Sequence, residues 1–352
     1  MSSYCTFFDR GYLPQGLALW HSLQRHEPGA VLWTLALDEE TAAVLRAGAS
    51  PGLHVVSLAE LLAADPSLAA VQAGRSGQEF IFTLKPCLCR YLLREKPGIG
   101  VLTYLDADLY FFRDPAAIHR ELGGRSVFVV PHRYPPWHDD SARYGRFNAG
   151  VLAFRDDAPG RACLDRWREQ CLVSCSVAGG GAAYGDQKYL DEWPERSGAA
   201  LCVSQTPGLN LAPWNWARHA CVVGPSGVQV DGELLVAFHF AQFRRVSARW
   251  FDSGQLEYGI MPLRLRSRIY GEYWDALVAA EAEIRGVQPG YVIPSRGWAA
   301  SLGSWHLALL RLFWGQFWLR LGPWWLAGRL GLGQLSGRMM GLYRRRQRRH
   351  AA

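Results

Sequence analysis

The sequence predicts an α/β fold: a mostly parallel mixed sheet with helices on both faces, followed by a helical tail rich in basic and aromatic residues. Three observations predict it. Short apolar runs alternate with helix-period segments over residues 4–105. That alternation demands crossover connections, which lay helices over both faces of a parallel sheet. The acidic residues end abruptly at Glu283, and Gly, Trp, Leu and Arg dominate from there on. The chain is therefore divided into a body, 1–284, and a tail, 285–352.

Residues 4–8 read as a buried strand and 13–25 as a helix. Pro14 stands in the first turn of that helix, where its missing N–H costs nothing. A strand at 31–37, a helix at 39–47 and a strand at 54–58 follow. Residues 79–94 form an apolar-periodic helix with Pro86 as its one flaw, and 101–105 a strand that ends at acids. Further strands are expected near 126–130, 150–154, 200–204 and 234–240, with helices near 159–172 and 186–193. Gly179, Gly180 and Gly181 read as a flexible loop. Neither a repeat nor a linker interrupts the body.

At 352 residues, 49% hydrophobic and 20% charged, the chain is a folded one, which excludes intrinsic disorder. Its 15 Trp, 14 Tyr and 15 Phe suit either sugar handling or a membrane interface. Eleven Arg follow Glu283 with no acid among them. They exceed the whole formal charge of +7, so the body is mildly acidic and the tail strongly basic. Eight Cys without a CxxC pair, several inside apolar runs, read as free thiols of a reducing compartment. With no leader-like segment at residue 1, the expected location is cytoplasmic, peripheral to the inner face of the membrane.

The strongest chemical signal is Tyr104-Leu105-Asp106-Ala107-Asp108-Leu109-Tyr110-Phe111-Phe112. In an extended chain residues i and i+2 point the same way, so Asp106 and Asp108 can converge beyond a buried strand. Two like charges there are costly unless a cation neutralises them, and hard oxygen ligands suit Mg²⁺ or Mn²⁺. The alternative is an acidic turn whose carboxylates only cap loops.

A strand ending in this run and followed by Arg113-Asp114-Pro115 resembles the DxD segment of GT-A glycosyltransferases, particularly the family 8 type. Three further stretches match in order: residues 5–13 (Cys-Thr-Phe-Phe-Asp-Arg-Gly-Tyr-Leu), 147–152 (Phe-Asn-Ala-Gly-Val-Leu) and Gly185-Asp186-Gln187. The resemblance spans about residues 4–245. It implies a metal-dependent transferase with a nucleotide-diphospho-sugar donor, UDP-linked in most of the family, a glycan or lipid-linked acceptor, and retention at the anomeric carbon. Thr6 and Asp9 would touch the nucleoside. Asn148, Asp186 and Gln187 would line the sugar pocket, where the amide offers a donor and an acceptor to a hydroxyl. A turn before a strand would explain Asn148 equally, and a helix N-cap Asp186. His239, alone in the apolar strand 234–240, reads as a core residue by itself, and the resemblance makes it a third metal ligand. The family's Gly and Lys-Pro-Trp after that strand are replaced by Ala241-Gln242-Phe243-Arg244-Arg245, so Arg244 or Arg245 would bind phosphate.

Two polar-aromatic stretches sit near these motifs. Residues 209–216 (Leu-Asn-Leu-Ala-Pro-Trp-Asn-Trp) suit stacking on sugar faces or a packed loop. His132, Arg133, Tyr134, Trp137 and His138 fall where an acceptor loop could lie.

The tail carries Trp298, Trp305, Trp314, Trp318, Trp324 and Trp325 and closes on Arg344-Arg345-Arg346-Gln347-Arg348-Arg349. Its apolar run 307–321 is too short and too interrupted by Arg311 and Arg320 to span a bilayer. An interfacial segment on anionic lipid is expected, with a homodimer hairpin as the alternative and no nucleic-acid partner. A sugar nucleotidyltransferase and an inactive carbohydrate-binding scaffold remain rivals for the body. The former lacks a Gly-rich, basic loop after the first strand.

Overall fold

The structure, a computed structural model, describes residues 2–48, 50–176, 184–247, 250–255, 258–259, 261–292, 295, 317–321 and 324–327. It opens with β1 (Ser3–Phe8), α1 (Leu13–His26), β2 (Val31–Ala36), α2 (Glu39–Ala47) and β3 (Leu53–Ser57). Two short helices, α3 (Leu58–Ala64) and α4 (Pro66–Gln72), lead into the long α5 (Gly77–Glu95). Then come β4 (Val101–Leu105), β5 (Leu109–Phe111), α6 (Ala117–Leu122), β6 (Val127–Pro131), α7 (Ser141–Tyr144), β7 (Phe147–Arg155) and α8 (Ala158–Val173). Side-chain caps set several helix starts. The Asp38 carboxylate accepts from Thr41 N, Ser57 Oγ from Glu60 N and Asp157 from Gly160 N, and Ser76 with Glu79 forms a reciprocal capping box.

The central sheet has the order β3-β2-β1-β4-β7-β6-β8, where β8 is Leu201–Val203. All its pairings are parallel except the two made by β7, which runs against both β4 and β6. Side-chain alternation divides the core between its faces. Tyr4, Leu105, Val151 and Ala153 pack with Leu19 and Leu23 of α1 and Leu122 of α6. Cys5, Phe7, Tyr104, Leu152 and Phe154 pack with Leu84, Leu88 and Leu92 of α5 and Trp167 of α8. Each aliphatic side chain buried this way stabilises the fold by about 1.5–3 kcal/mol.

The later chain adds small sheets and one long helix. β9 (Cys221–Gly224), β10 (Gly227–Val230) and β11 (Glu233–Leu234) form an antiparallel ribbon. β12 (Ala237–His239) pairs with β5, and β13 (Arg244–Ser247) pairs with β14 (Trp250–Asp252). Between α8 and β8 lies α9 (Trp193–Ser197), and the last helix among the described residues is α10 (Leu263–Val287).

Several expectations change. The single strand at 234–240 is two short pieces, β11 and β12, on different partners. Residues 187–192 form a 3-10 helix ahead of α9. Asn148 and Gly150 lie inside β7, not before it, because the pairing with β6 slips between Val129 and Val130 and lets the strand start earlier. The boundary after 284 falls inside α10. Tyr291 Oη then donates to Arg10 O, and Gln288 reaches Glu40, so the packed body extends past the helix end. Many aromatics serve neither sugar nor lipid. Tyr110, Phe238, Phe240, Phe243, Phe251, Tyr270, Tyr273 and Trp274 form one cluster that fastens β5, β12, β13 and β14 to α10. Phe240 and Tyr273 stack there with centroids 3.7 Å apart.

The eight Cys are free. The tail was expected to be helical, yet 317–321 and 324–327 are strands, β15 (Phe317–Leu321) and β16 (Trp324–Ala327), that extend the β13-β14 pair. Their aromatic-rich composition favours an extended pairing. The remaining tail Trp and Arg, and the Gly179–Gly181 loop, lie outside the described residues.

Candidate active site

The parallel strands β1 and β4 are neighbours, and their carboxyl ends deliver Asp9 and Asp106 to one edge of the sheet, where ligands of such sheets bind. The approach of Asp106 and Asp108 does not come from strand alternation. β4 ends at Leu105, and the two acids occupy a turn closed by Leu109 N donating to Asp106 O (3.1 Å). Neighbouring segments clamp it: Asp106 N donates to Gly150 O (2.9 Å), and Phe240 N donates to Asp108 O (2.8 Å).

The β5-β12 pairing sets His239 opposite Leu109 and so beside the turn. Its Nε2 lies 3.1 Å from Asp108 Oδ1 and 3.7 Å from Asp106 Oδ2. Ligand atoms of Asp106, Asp108 and His239 fall within 4.8 Å of one another, the one such group among the described residues. Burial alone would lower the His239 pKa, but the Asp108 carboxylate raises it above its usual value. Burial would likewise raise Asp108, and His239 brings it below the ordinary carboxylate range. Two carboxylates and an imidazole form a donor set that fits Mn²⁺ or Mg²⁺.

Gly150 makes this geometry possible. A Cβ there would stand 2.6 Å from His239 Cε1 and 2.7 Å from Asn148 Oδ1. Gly150→Ala is therefore expected to push His239 off the acids, costing about 1–3 kcal/mol by overpacking. The metal concentration for half-maximal nucleotide binding should rise at least tenfold. An unchanged metal titration would remove His239 from the ligand set.

Lys85 was not anticipated. It lies on α5, only 5% exposed, with Nζ 3.2 Å from Asp106 Oδ1 and 3.0 Å from Asp186 Oδ2, and donates to Ala149 O at 3.3 Å. The Tyr104 ring lies beneath it, and Tyr104 Oη donates to Asp106 Oδ1 (2.8 Å). A lone lysine within the apolar run Leu84-Lys85-Pro86-Cys87-Leu88 was the available signal, since a fully buried lysine is rare unless paired.

The remaining expected residues divide. Asp9 lines a cleft of about 300 Å³ together with Phe7, Phe8, Tyr12, Phe82, Lys85, Asp106, Asp108 and His239. Thr6 does not line it, because its side chain is fully buried in β1. Asp186, expected against the sugar, is 2% exposed and reaches the cleft only through Lys85. It makes no N-cap hydrogen bond, so the capping alternative fails as well. Burial holds its carboxyl above the usual range, against the pull of Lys85. Trp167 Nε1 donates to its carbonyl (2.9 Å). Gln187 opens the 3-10 helix and is not part of the cleft wall.

Asn148 is buried behind the cleft. Its Oδ1 accepts from Gly150 N (3.0 Å) and Asn210 Nδ2 (3.1 Å), and its Nδ2 faces His132 Nε2 at 3.4 Å. Burial pushes the His132 ring down to about 3, so it is neutral. Its Nδ1–H donates to Gly145 O (2.9 Å), which leaves Nε2 as the acceptor. Trp214 stands edge-on to both His132 and His239, which puts the 209–216 stretch behind the cleft wall, not in it. Arg245 is no phosphate ligand here: it pairs with Glu281 and lies over the Trp274 ring. Arg244 stands exposed on β13, close enough to act on the Tyr12 hydroxyl at the cleft.

No family model matches the chain. It is 33% identical over 254 residues to the uncharacterized protein YfnF of Bacillus subtilis, covering 70% of this chain and 83% of that one. It is 28% identical over 255 residues to the uncharacterized protein YfnD of the same organism, covering 71% and 80%. Among solved structures it is similar to the galactosyltransferase LgtC in complex with donor and acceptor sugar analogs (14% identity, 79% of this chain, 95% of that chain, TM-score 0.47). It is also similar to mouse xyloside xylosyltransferase 1 (16%, 68% and 98%, TM-score 0.45) and to GlyE of Streptococcus pneumoniae (14%, 81% and 62%, TM-score 0.44). TM-scores this low carry no argument about activity, which is left to the site's own residues. With 33% of the 254 aligned residues identical, over 70% of this chain and 83% of that one, the protein belongs to the family of Bacillus subtilis YfnF.

Proposed function

We propose that the protein is a glycosyltransferase of the GT-A, family 8-like type. It would move a hexose or related sugar from a nucleotide-diphospho-sugar, UDP-linked in the first instance, to a glycan or lipid-linked acceptor. The observation that carries this reading is the convergence of Asp106, Asp108 and His239 at the mouth of a cleft whose other wall is Phe7, Phe8 and Asp9. The cleft is large enough for a nucleoside and its phosphates. Asp106, Asp108 and His239 would hold Mn²⁺ or Mg²⁺, which supplies Lewis-acid neutralisation of a departing diphosphate.

The chain's own groups supply the rest. Phe7 and Phe8 give the nucleoside an apolar wall, and Asp9 accepts from the base or ribose. Arg244 is the guanidinium available to a phosphate, since Arg245 is engaged with Glu281. Lys85 holds Asp106 from the cleft wall, while Asp186 and Ala149 O hold it from behind. Asp186 thus acts through Lys85, keeping a cation against Asp106. Retention follows from the family resemblance alone.

The test is a screen of UDP-, GDP- and TDP-sugars for hydrolysis with Mn²⁺ or Mg²⁺ and with EDTA. Turnover of one donor with metal, lost in EDTA, is expected. Binding of nucleoside triphosphates with pyrophosphate release would favour a nucleotidyltransferase, and inertness toward every donor would favour the scaffold reading.

For the tail we keep the membrane assignment, supported by its excess of Arg and Trp. It would hold the enzyme at the cytoplasmic face of an anionic bilayer. No helix among the described residues is long and apolar enough to cross a membrane. The full chain should sediment with anionic vesicles and be released only partly by salt, because apolar contacts are not screened. A stable dimer that ignores vesicles would show the tail to be a protein interface.

A further inference from the structure

A second cavity, of about 470 Å³, is walled by Arg133, Arg146, Arg218, His219, Asp139 and Ser141, among others. His132 also lines it, and the Trp214 ring touches both His132 and His239 of the cleft, so the two cavities adjoin. A rim connects them: Tyr144, at the end of the helix begun by Ser141, lies edge-on to Tyr184 at 4.7 Å. The next residue, Gly185, abuts Phe82 of the cleft.

Three guanidiniums and two imidazoles, His219 and the neutral His132, line this space, against one wall carboxylate. Arg133 Nη2 donates to Ser204 O (2.7 Å), while its Nη1 is buried with no hydrogen-bond partner. The His219 side chain is 6% exposed. Its Nδ1 is tied to Asp231 Oδ2 at 2.6 Å, and its Nε2 is buried without a partner. An orphaned buried N–H costs about 1–3 kcal/mol, more on a charged group. Burial holds the Arg133 pKa below its usual value, while Glu121 and Asp231 outweigh the repulsion from Arg218. Arg133 is also held at φ 52°, a left-handed conformation costly for a long side chain. Such strain is kept where it aims a group.

We propose that this cavity binds a phosphoryl group carried by the acceptor, an inference that rests on the transferase reading of the adjoining cleft. Donors converge there from three segments, more than the two oxygens of a carboxylate would use but suited to three phosphoryl oxygens. A phosphorylated sugar and a phospholipid headgroup present the same oxyanion.

The test titrates inorganic phosphate calorimetrically into the full chain saturated with UDP and Mg²⁺, so that the cleft is filled. Binding of one phosphate per chain is expected, weakened about tenfold in Arg218→Gln, the loss of roughly one charge-assisted hydrogen bond. Arg133→Gln should weaken it further if it folds, and Arg218, being exposed, keeps the test valid if it does not. No phosphate uptake, equal competition by acetate, or an unchanged Arg218→Gln would each overturn the proposal. Displacement of phosphate by glycerol 3-phosphate or by phosphatidic acid vesicles supports it and identifies the source. Failure of both would leave only free phosphate and overturn the link to an acceptor. If UDP itself does not bind, the cleft reading fails separately, because the phosphate titration of the same protein still reports on this cavity.

Discussion

Asp108→Asn is expected to abolish donor turnover, lowering it about a thousandfold or more, without unfolding the chain. The side chain keeps its shape, and the structure gives Asp108 no partner essential to the core: its contacts are His239 Nε2 and the water-facing cleft. A Lewis acid contributes several kcal/mol to the departure of a charged group, and 1.36 kcal/mol is tenfold in rate. UDP should bind the wild type much more tightly with Mn²⁺ than in EDTA, and the variant equally weakly in both. The variant gives up the pair with His239, which holds the Asp108 carboxyl below its usual range, so it should melt slightly below the wild type at neutral pH while still folding. Wild-type turnover by Asp108→Asn, or full activity in EDTA, would end the metal assignment.

Lys85→Met is expected to cost about 3–5 kcal/mol of stability, because it leaves the buried Asp186 carboxylate uncompensated and Asp106 without its cation. Activity should be lost as well, since the Asp106 carboxylate then keeps only Tyr104 Oη of the two groups that orient its Oδ1. The pH dependence carries a definite sign. Burial would lower the Lys85 pKa, but Asp106 and Asp186 raise it above 10.5. Its stabilisation is therefore complete at neutral pH and lost only as pH climbs from about 10.5 through the folded-state value. In the variant the buried Asp186 binds its proton more tightly folded than unfolded, so lowering the pH stabilises the folded form. The gap between variant and wild type, measured by urea unfolding, should be widest at pH 8 and narrower at pH 5. A variant as stable as wild type at pH 8 would show that the Lys85 bridge contributes nothing.

What the sequence determined by itself was local. The main strands and the long helices through residue 155 follow from apolar periodicity, which missed the short α3, α4, β5, α6 and α7. The starts of α2, α3 and α5 are set locally by Asp38, Ser57 and Ser76, whose short side chains cap the next turn regardless of what packs above. The acids of the 104–112 run were legible because two carboxylates beyond a buried strand are costly without a cation. Periodicity carries no information about which distant segment lies opposite, and every difference at the site comes from that. Arg245 looked available for phosphate until Glu281, on a helix 36 residues away, claimed it. Lys85 looked like an ordinary helical lysine until β4 and the segment ahead of the 3-10 helix brought Asp106 and Asp186 to it. The approach of Asp106 to Asp108 was expected from strand alternation. It arises instead from a turn held by Gly150 and Phe240, two contacts that exist only once β7 and β12 have found their partners. Tertiary pairing decided the site, because charges 80 residues apart in the chain acquire their energies only at the distances the fold imposes.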